Sequence, residues 1–188
     1  MRWGVFLIAA LLFVALDISF MSVFAIGSIT PQLTPILATF VALAAPRVTV
    51  MWACLLLGLL LDLCPPPIGE GLNAFQIAGP RALGYFFAAN LLLPLRTMVF
   101  RRNPLTLAVL TVLFAVAASL VVVMIWTIRS SYPDAPVVFG GRTSLSELGR
   151  SALQALASGA AAIPVGWFLV RTVPIWGFQT HGQRLGKW

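Results

Sequence analysis

Residues 104–128 read PLTLAVLTVLFAVAASLVVVMIWTI, twenty-five residues without a charged side chain, bounded by Arg101 and Arg102 on one side and Arg129 on the other. About 20 apolar residues suffice to carry a helix across a hydrocarbon core about 30 Å thick. A segment of this length and composition reads as a transmembrane helix, and it sets the scale for the rest of the chain. Comparable apolar runs fall near residues 4–26, 30–46, 48–64, 74–99 and 147–172. The expectation is an all-α polytopic membrane bundle of about six transmembrane helices, one transmembrane domain over residues 1–188.

Composition agrees, since 60% of the 188 residues are hydrophobic and only 9% are charged, with a mean hydropathy of +0.99. A soluble domain has too little interior to hide that much apolar surface. The opening MRW followed by an apolar run from Trp3 to Ile26 resembles a signal peptide, but the run exceeds the usual h-region of roughly 7 to 15 residues. It is read as a retained first helix. The second and third spans nearly abut at Ala45-Pro46-Arg47, where proline favours a helical hairpin.

The formal charge of +7 invites a nucleic-acid reading, yet most Lys and Arg residues lie at the ends of apolar runs. Arg2, Arg47, the Arg96/Arg101/Arg102 group, and Arg171, Arg184 and Lys187 fall in alternate connections, which six spans place on one side. That side is expected to be the cytoplasm, with both termini inside and residues 173–188 forming a basic cytoplasmic tail. A bilayer, and not nucleic acid, is the partner this charge pattern predicts. Trp3, Trp52, Trp126 and Trp176 lie near expected span ends, where an indole buries its ring and keeps its N–H wet.

Candidate chemistry is sparse. The single histidine, His181, lies in the tail. Cys54 and Cys64 stand ten residues apart on one expected helix, about 15 Å and too far for a disulfide. Neither a metal cluster nor a nucleophile–histidine pair can be assembled, PPPIGEG (residues 65–71) lacks the Lys-Ser/Thr ending of a P-loop, and no cofactor is expected. The protein is therefore expected not to be an enzyme. Intramembrane charges are the sharper clue, because each costs about 2.5–3.5 kcal/mol at mid-bilayer. Asp17, Asp62 and Arg81 qualify, all in the outer half of the bilayer. Arg81 is expected either to pair with Asp62 or Asp17 or, if a helix starts at Pro80, to sit at the membrane surface; Asp62 is alternatively a solvated carboxylate at a helix end.

Local signals add detail. The loop from Cys64 to Asn73, with three prolines and two glycines, is a stiff turn with Asn73 as an N-cap for the fourth helix. Ser144-Leu-Ser-Glu147 has capping-box spacing, so the last helix is expected to start about residue 145. Ser151, Ala155 and Gly159 form either a small-residue packing stripe or part of an ordinary alanine-rich helix. The segment SSYPDAPVVFGG (residues 130–141) reads as an interfacial patch or a periplasmic contact surface.

The run Gly58-Leu-Leu-Leu-Asp62-Leu63, then a Pro/Gly loop and Gly71-Leu-Asn73-Ala, resembles the G-x-x-x-D-L…G-x-N-A pattern of the rod shape-determining MreD family. Pro31, Pro35, Ala45-Pro46-Arg47-Val48 and Phe100-Arg-Arg-Asn103 are similar to that family as well, so the resemblance covers roughly residues 30–103. It implies a multi-pass inner-membrane scaffold of the bacterial rod (elongation) complex, supporting cell shape and peptidoglycan synthesis. The partners it implies are MreC and, with it, MreB, RodA and a penicillin-binding transpeptidase. Gly58, Asp62, Gly71, Asn73 and Arg81, together with Asp17, are the structural or partner-binding positions to mutate first. The triple proline and Glu70 enlarge the motif loop relative to the family pattern. The family is also similar in its six-helix fold to substrate-binding S components of energy-coupling-factor transporters, which makes such a component the alternative function. Few polar residues line these helices, which weighs against it.

Overall fold

The computed structural model describes residues 1–19, 23, 29–64, 78–96, 104–130 and 144–177. Six helices pack together, with no strand among the described residues: α1 (Trp3–Ser19), α2 (Thr34–Ala44), α3 (Arg47–Leu63), α4 (Pro80–Leu95), α5 (Pro104–Ser130) and α6 (Ser144–Trp176). Two of them, over Leu105–Arg129 and Ser144–Trp176, are long and apolar enough to cross a membrane.

Proline at the first helical turn begins several of these helices. Pro35 opens α2, Pro80 opens α4 and Pro104 opens α5, each supplying a preset φ where the missing N–H costs nothing. Pro46 is the N-cap of α3 in extended conformation, so the chain reverses between Ala44 and Arg47 as the sequence requires.

Successive helices alternate in direction. The N–H of Arg2 donates to the carbonyl of Trp176 (3.0 Å), joining the start of α1 to the end of α6. Arg96, closing α4, donates from Nη1 to the carbonyl of Ala45 between α2 and α3 (2.8 Å). At the opposite end Thr127 Oγ1 donates to Ser144 Oγ (3.1 Å), joining α5 to α6. The two chain ends of the helical assembly thus share one end of the molecule.

α2 differs from the span expected over residues 30–46. Residues 30–33 are not helical, and the eleven-residue helix is about 16 Å long, half the thickness of a hydrocarbon core. Every residue from Thr34 to Leu43 is buried, and α2 touches each of the other five helices. It is the central rod of the fold, not a peripheral span.

α5 and α6 share the most extensive helix contact. Ala155, Ser158, Gly159, Ala162 and Gly166 are buried along α6, and a Cβ on Gly159 would lie 2.3 Å from Val112 Cγ2. The stripe of Ser151, Ala155 and Gly159 is therefore part of a packing face, with Ser151 at its half-buried margin. Trp176 departs from the interfacial role expected of it. Its ring is 3% exposed, packs edge-on against Phe40 with centroids 5.3 Å apart, and its Nε1–H donates to Thr172 Oγ1. A hydroxyl one turn away supplies what interfacial water would have supplied. Trp3 and Trp52 are exposed as expected.

Candidate functional site

Gly58 and Asp62 are four residues apart on α3 and so lie one above the other on the same helix face. α4 begins against that face. A Cβ on Gly58 would lie 2.5 Å from the Cα of Ala82 and 2.6 Å from the carbonyl oxygen of Arg81, so only a residue without a side chain lets the first turn of α4 come this close. One turn further on, the buried carboxylate of Asp62 accepts from the backbone N–H groups of Gly79 (2.7 Å), Arg81 (3.1 Å to Oδ2, 3.3 Å to Oδ1) and Ala82 (3.2 Å). Those N–H groups are the orphan donors of a helix start. Gly79, the N-cap residue, has φ 134° and no side chain to cap with, which leaves the position open to a carboxylate from the neighbouring helix.

Two expectations change here. The fourth helix begins at Pro80, the start its proline allowed, and not near residue 74, and the Asp62 side chain caps it. Asp62 and Arg81 do meet, but through the Arg81 backbone N–H; the guanidinium Nη1 donates to the carbonyl of Leu61 (3.1 Å). The positive end of a helix takes the place of a guanidinium as counter-charge to the carboxylate. Gly71 and Asn73 lie outside the described residues, as do the proline loop, residues 131–143 and His181.

Asp17 repeats the device. Its carboxylate, near the end of α1, accepts from the N–H groups of Leu33 (2.5 Å) and Thr34 (2.9 Å) and from Thr34 Oγ1. Leu33 occupies the N-cap position of α2 and offers no side-chain acceptor, so Asp17 caps α2 from outside. Polar groups of α6 hold the approach: Gln32 N–H donates to Ser158 Oγ (2.8 Å), and Gln154 Nε2 donates to Thr30 Oγ1 (3.4 Å). In both cases the aspartate stands 17 residues before a capped N–H, at Thr34 and at Gly79. Asp17 is thus engaged with α2 and Asp62 with α4.

No family model, curated protein or solved structure matches this chain. Roles for its residues therefore rest on geometry. The two carboxylates are committed to holding helix N-termini inside the assembly, an arrangement suited to fixing the positions of α2 and α4. Among the described residues no group of three or more His, Cys, Asp or Glu side chains converges to hold a metal.

Thr34, Gly79 and Ser158 belong to this machinery and did not stand out in the sequence. Thr34-Pro35 carries the signal that would have found the first, and Pro80, already read as an alternative helix start, points to Gly79 as the residue before it. Ser158 has no such mark, because its role depends on a backbone N–H 126 positions away.

Proposed function

We propose that this chain is a non-enzymatic, multi-pass scaffold of the bacterial inner membrane, an MreD-like subunit of the rod complex with both termini in the cytoplasm. The observation that carries this reading is the use made of the G-x-x-x-D residues. Gly58 and Asp62 grip the first turn of α4 and so fix one end of the connection between α3 and α4, the segment with the greatest likeness to the family. A helix start fixed in this way anchors a surface on which a single-span partner such as MreC docks without any chemistry being done.

The membrane placement is supported by the outward faces. Ile8, Leu12, Phe87, Val109, Met124 and Phe168 are all exposed, and each of α1, α3, α4, α5 and α6 carries such side chains. Helices that are apolar on both faces belong either in a large core or in lipid, and 188 residues make no core of that size. In this reading five helices face lipid while α2 fills the centre. Its non-helical approach, residues 30–33, meets the requirement that irregular backbone at membrane depth be paired within the protein.

Co-purification tests the proposal. Affinity-tagged chain expressed in a rod-shaped host is expected to retain MreC, with RodA in weaker association, and Asp62→Ala is expected to lose most of the captured MreC at unchanged membrane level. Capture of a transporter ATPase module, or a stoichiometric small molecule in the purified protein, would overturn it in favour of an S component.

A further inference from the structure

At the end of the molecule that carries Arg2 and Trp176, a half-open cleft of about 430 Å³ lies between the start of α3 and the end of α4. Arg47, Asn90, Leu93, Pro94 and Arg96 line it. We propose that this cleft seats the phosphate of an anionic phospholipid, whose acyl chains lie on the apolar faces of α3 and α4 beside it. The proposal rests on the membrane reading above and adds to it a lipid-binding site.

Charge is the first argument. Among the described residues neither guanidinium is paired with a carboxylate and no acidic side chain lines the cleft. Arg96 is anchored, with Nη1 on the carbonyl of Ala45, so it presents its planar fork from a fixed position. Asn90 is held likewise, its Nδ2 donating to the carbonyl of Phe86 (2.9 Å). Arginine forks match phosphate oxygens in pairs, and two at one cleft suit a phosphodiester.

The helix ends give the same sign. α2 and α4 each receive a carboxylate at the N-terminus, whereas α3 has no side-chain cap at Pro46 and no acidic residue in its first turn. The protein supplies the anion for two of its helix starts and leaves this third one, beside the two arginines, to an anion from outside.

Position decides for a lipid over a free ion. Phe87, Leu91 and Pro94 follow one another at i, i+4 and i+7 on α4 and are all exposed, so an apolar stripe runs from the helix flank into the cleft wall. On α3, exposed Val48 and Trp52 lie one turn apart directly after Arg47. A basic mouth continuous with apolar surface matches a molecule that is anionic at one end and hydrocarbon at the other.

The test uses the full chain in detergent, with native mass spectrometry reading bound phosphatidylglycerol, phosphatidylcholine and inorganic phosphate. A basic residue near an anionic surface contributes about 1 kcal/mol, so Arg47→Gln and Arg96→Gln are each expected to lower phosphatidylglycerol affinity about 5-fold and leave phosphatidylcholine unchanged. Arg171→Gln serves as the control at the same end, because its guanidinium lies 3.5 Å over the Trp167 ring and outside the cleft. Equal losses in Arg47→Gln and Arg171→Gln would overturn the proposal, as would competition by inorganic phosphate at concentrations equal to those of the lipid. Among the described residues Arg47 makes no hydrogen bond comparable to the Arg96–Ala45 bond, so its variant decides the matter if Arg96→Gln fails to fold. A chain that stays monodisperse without detergent would instead remove the membrane reading beneath it, a result separable from lost discrimination between the two arginine variants.

Discussion

Asp62 is worth more than a surface cap because the N–H groups it accepts are enclosed between two helices. An exposed cap contributes about 1 kcal/mol, and each buried donor left unpaired adds about 1–3 kcal/mol. Asp62→Ala is expected to lower stability by about 2–4 kcal/mol, with Asp62→Asn, which keeps one accepting oxygen, losing about half as much. Thermal unfolding in detergent, followed by the reactivity of the buried Cys54 thiol, measures both; equal losses would show that charge and not acceptance matters. Tyr85 gives the opposite expectation. Its ring packs edge-on against Phe114 with centroids 5.1 Å apart, while its hydroxyl is buried without a hydrogen-bond partner among the described residues. Tyr85→Phe removes an unsatisfied group and is expected to be neutral or stabilising by up to about 1 kcal/mol; a loss larger than that in the same assay would reveal a bridging water. Asp17, Asp62 and Arg81 stood out in the sequence as charges within apolar runs, since the cost of placing them there marks them. Their partners did not, because residue types advertise guanidinium and carboxylate but never show which helix start will arrive within reach.

Glycines set how closely the helices approach, and what each would strike differs by element. At Gly58 and Gly84 a Cβ meets backbone, Ala82 Cα at 2.5 Å and the carbonyl of Ala118 at 2.7 Å, so α4 would have to move as a body. At Gly159 and Gly166 it meets the ends of Val112 and Leu107 side chains, which can turn away. Gly58→Ala and Gly84→Ala are therefore expected to cost about 2–3 kcal/mol, and Gly159→Ala and Gly166→Ala about 1 kcal/mol or less. The ranking is read from the four melting midpoints; an inverted order would mean the α5–α6 seam is the tighter one. At this scale α3, α5 and α6 were legible within a few residues because each is a long apolar run with turn or charge punctuation at its ends. α2 was misjudged in length because a buried central helix and a membrane span have the same composition. Only the enclosing neighbours distinguish them, and those come from distant parts of the chain.

The whole molecule carries its own probe of orientation. Cys64, the C-cap of α3, is half-buried at the end where Asp62 meets α4, while Cys54 is wholly buried. Arg2 and Trp176 are joined at the other end, which also bears Arg47, Arg96 and Arg171. On the proposed membrane reading, the positive-inside rule predicts a cytoplasmic position for that arginine-bearing end and an external one for Cys64, without any engineered site. A membrane-impermeant maleimide is expected to label intact spheroplasts at Cys64, and Cys64→Ser is expected to abolish the signal, since Cys54 has no solvent access in the folded state. Tags on the two termini are expected to resist external protease in the same spheroplasts and to be cut together after lysis. Labelling only after lysis, with both tags cut beforehand, would invert the topology while leaving the fold intact. Separation of the two tags onto opposite sides would contradict the Arg2–Trp176 junction itself, and with it the alternation of helices that places both aspartate caps at one end and the arginine cleft at the other.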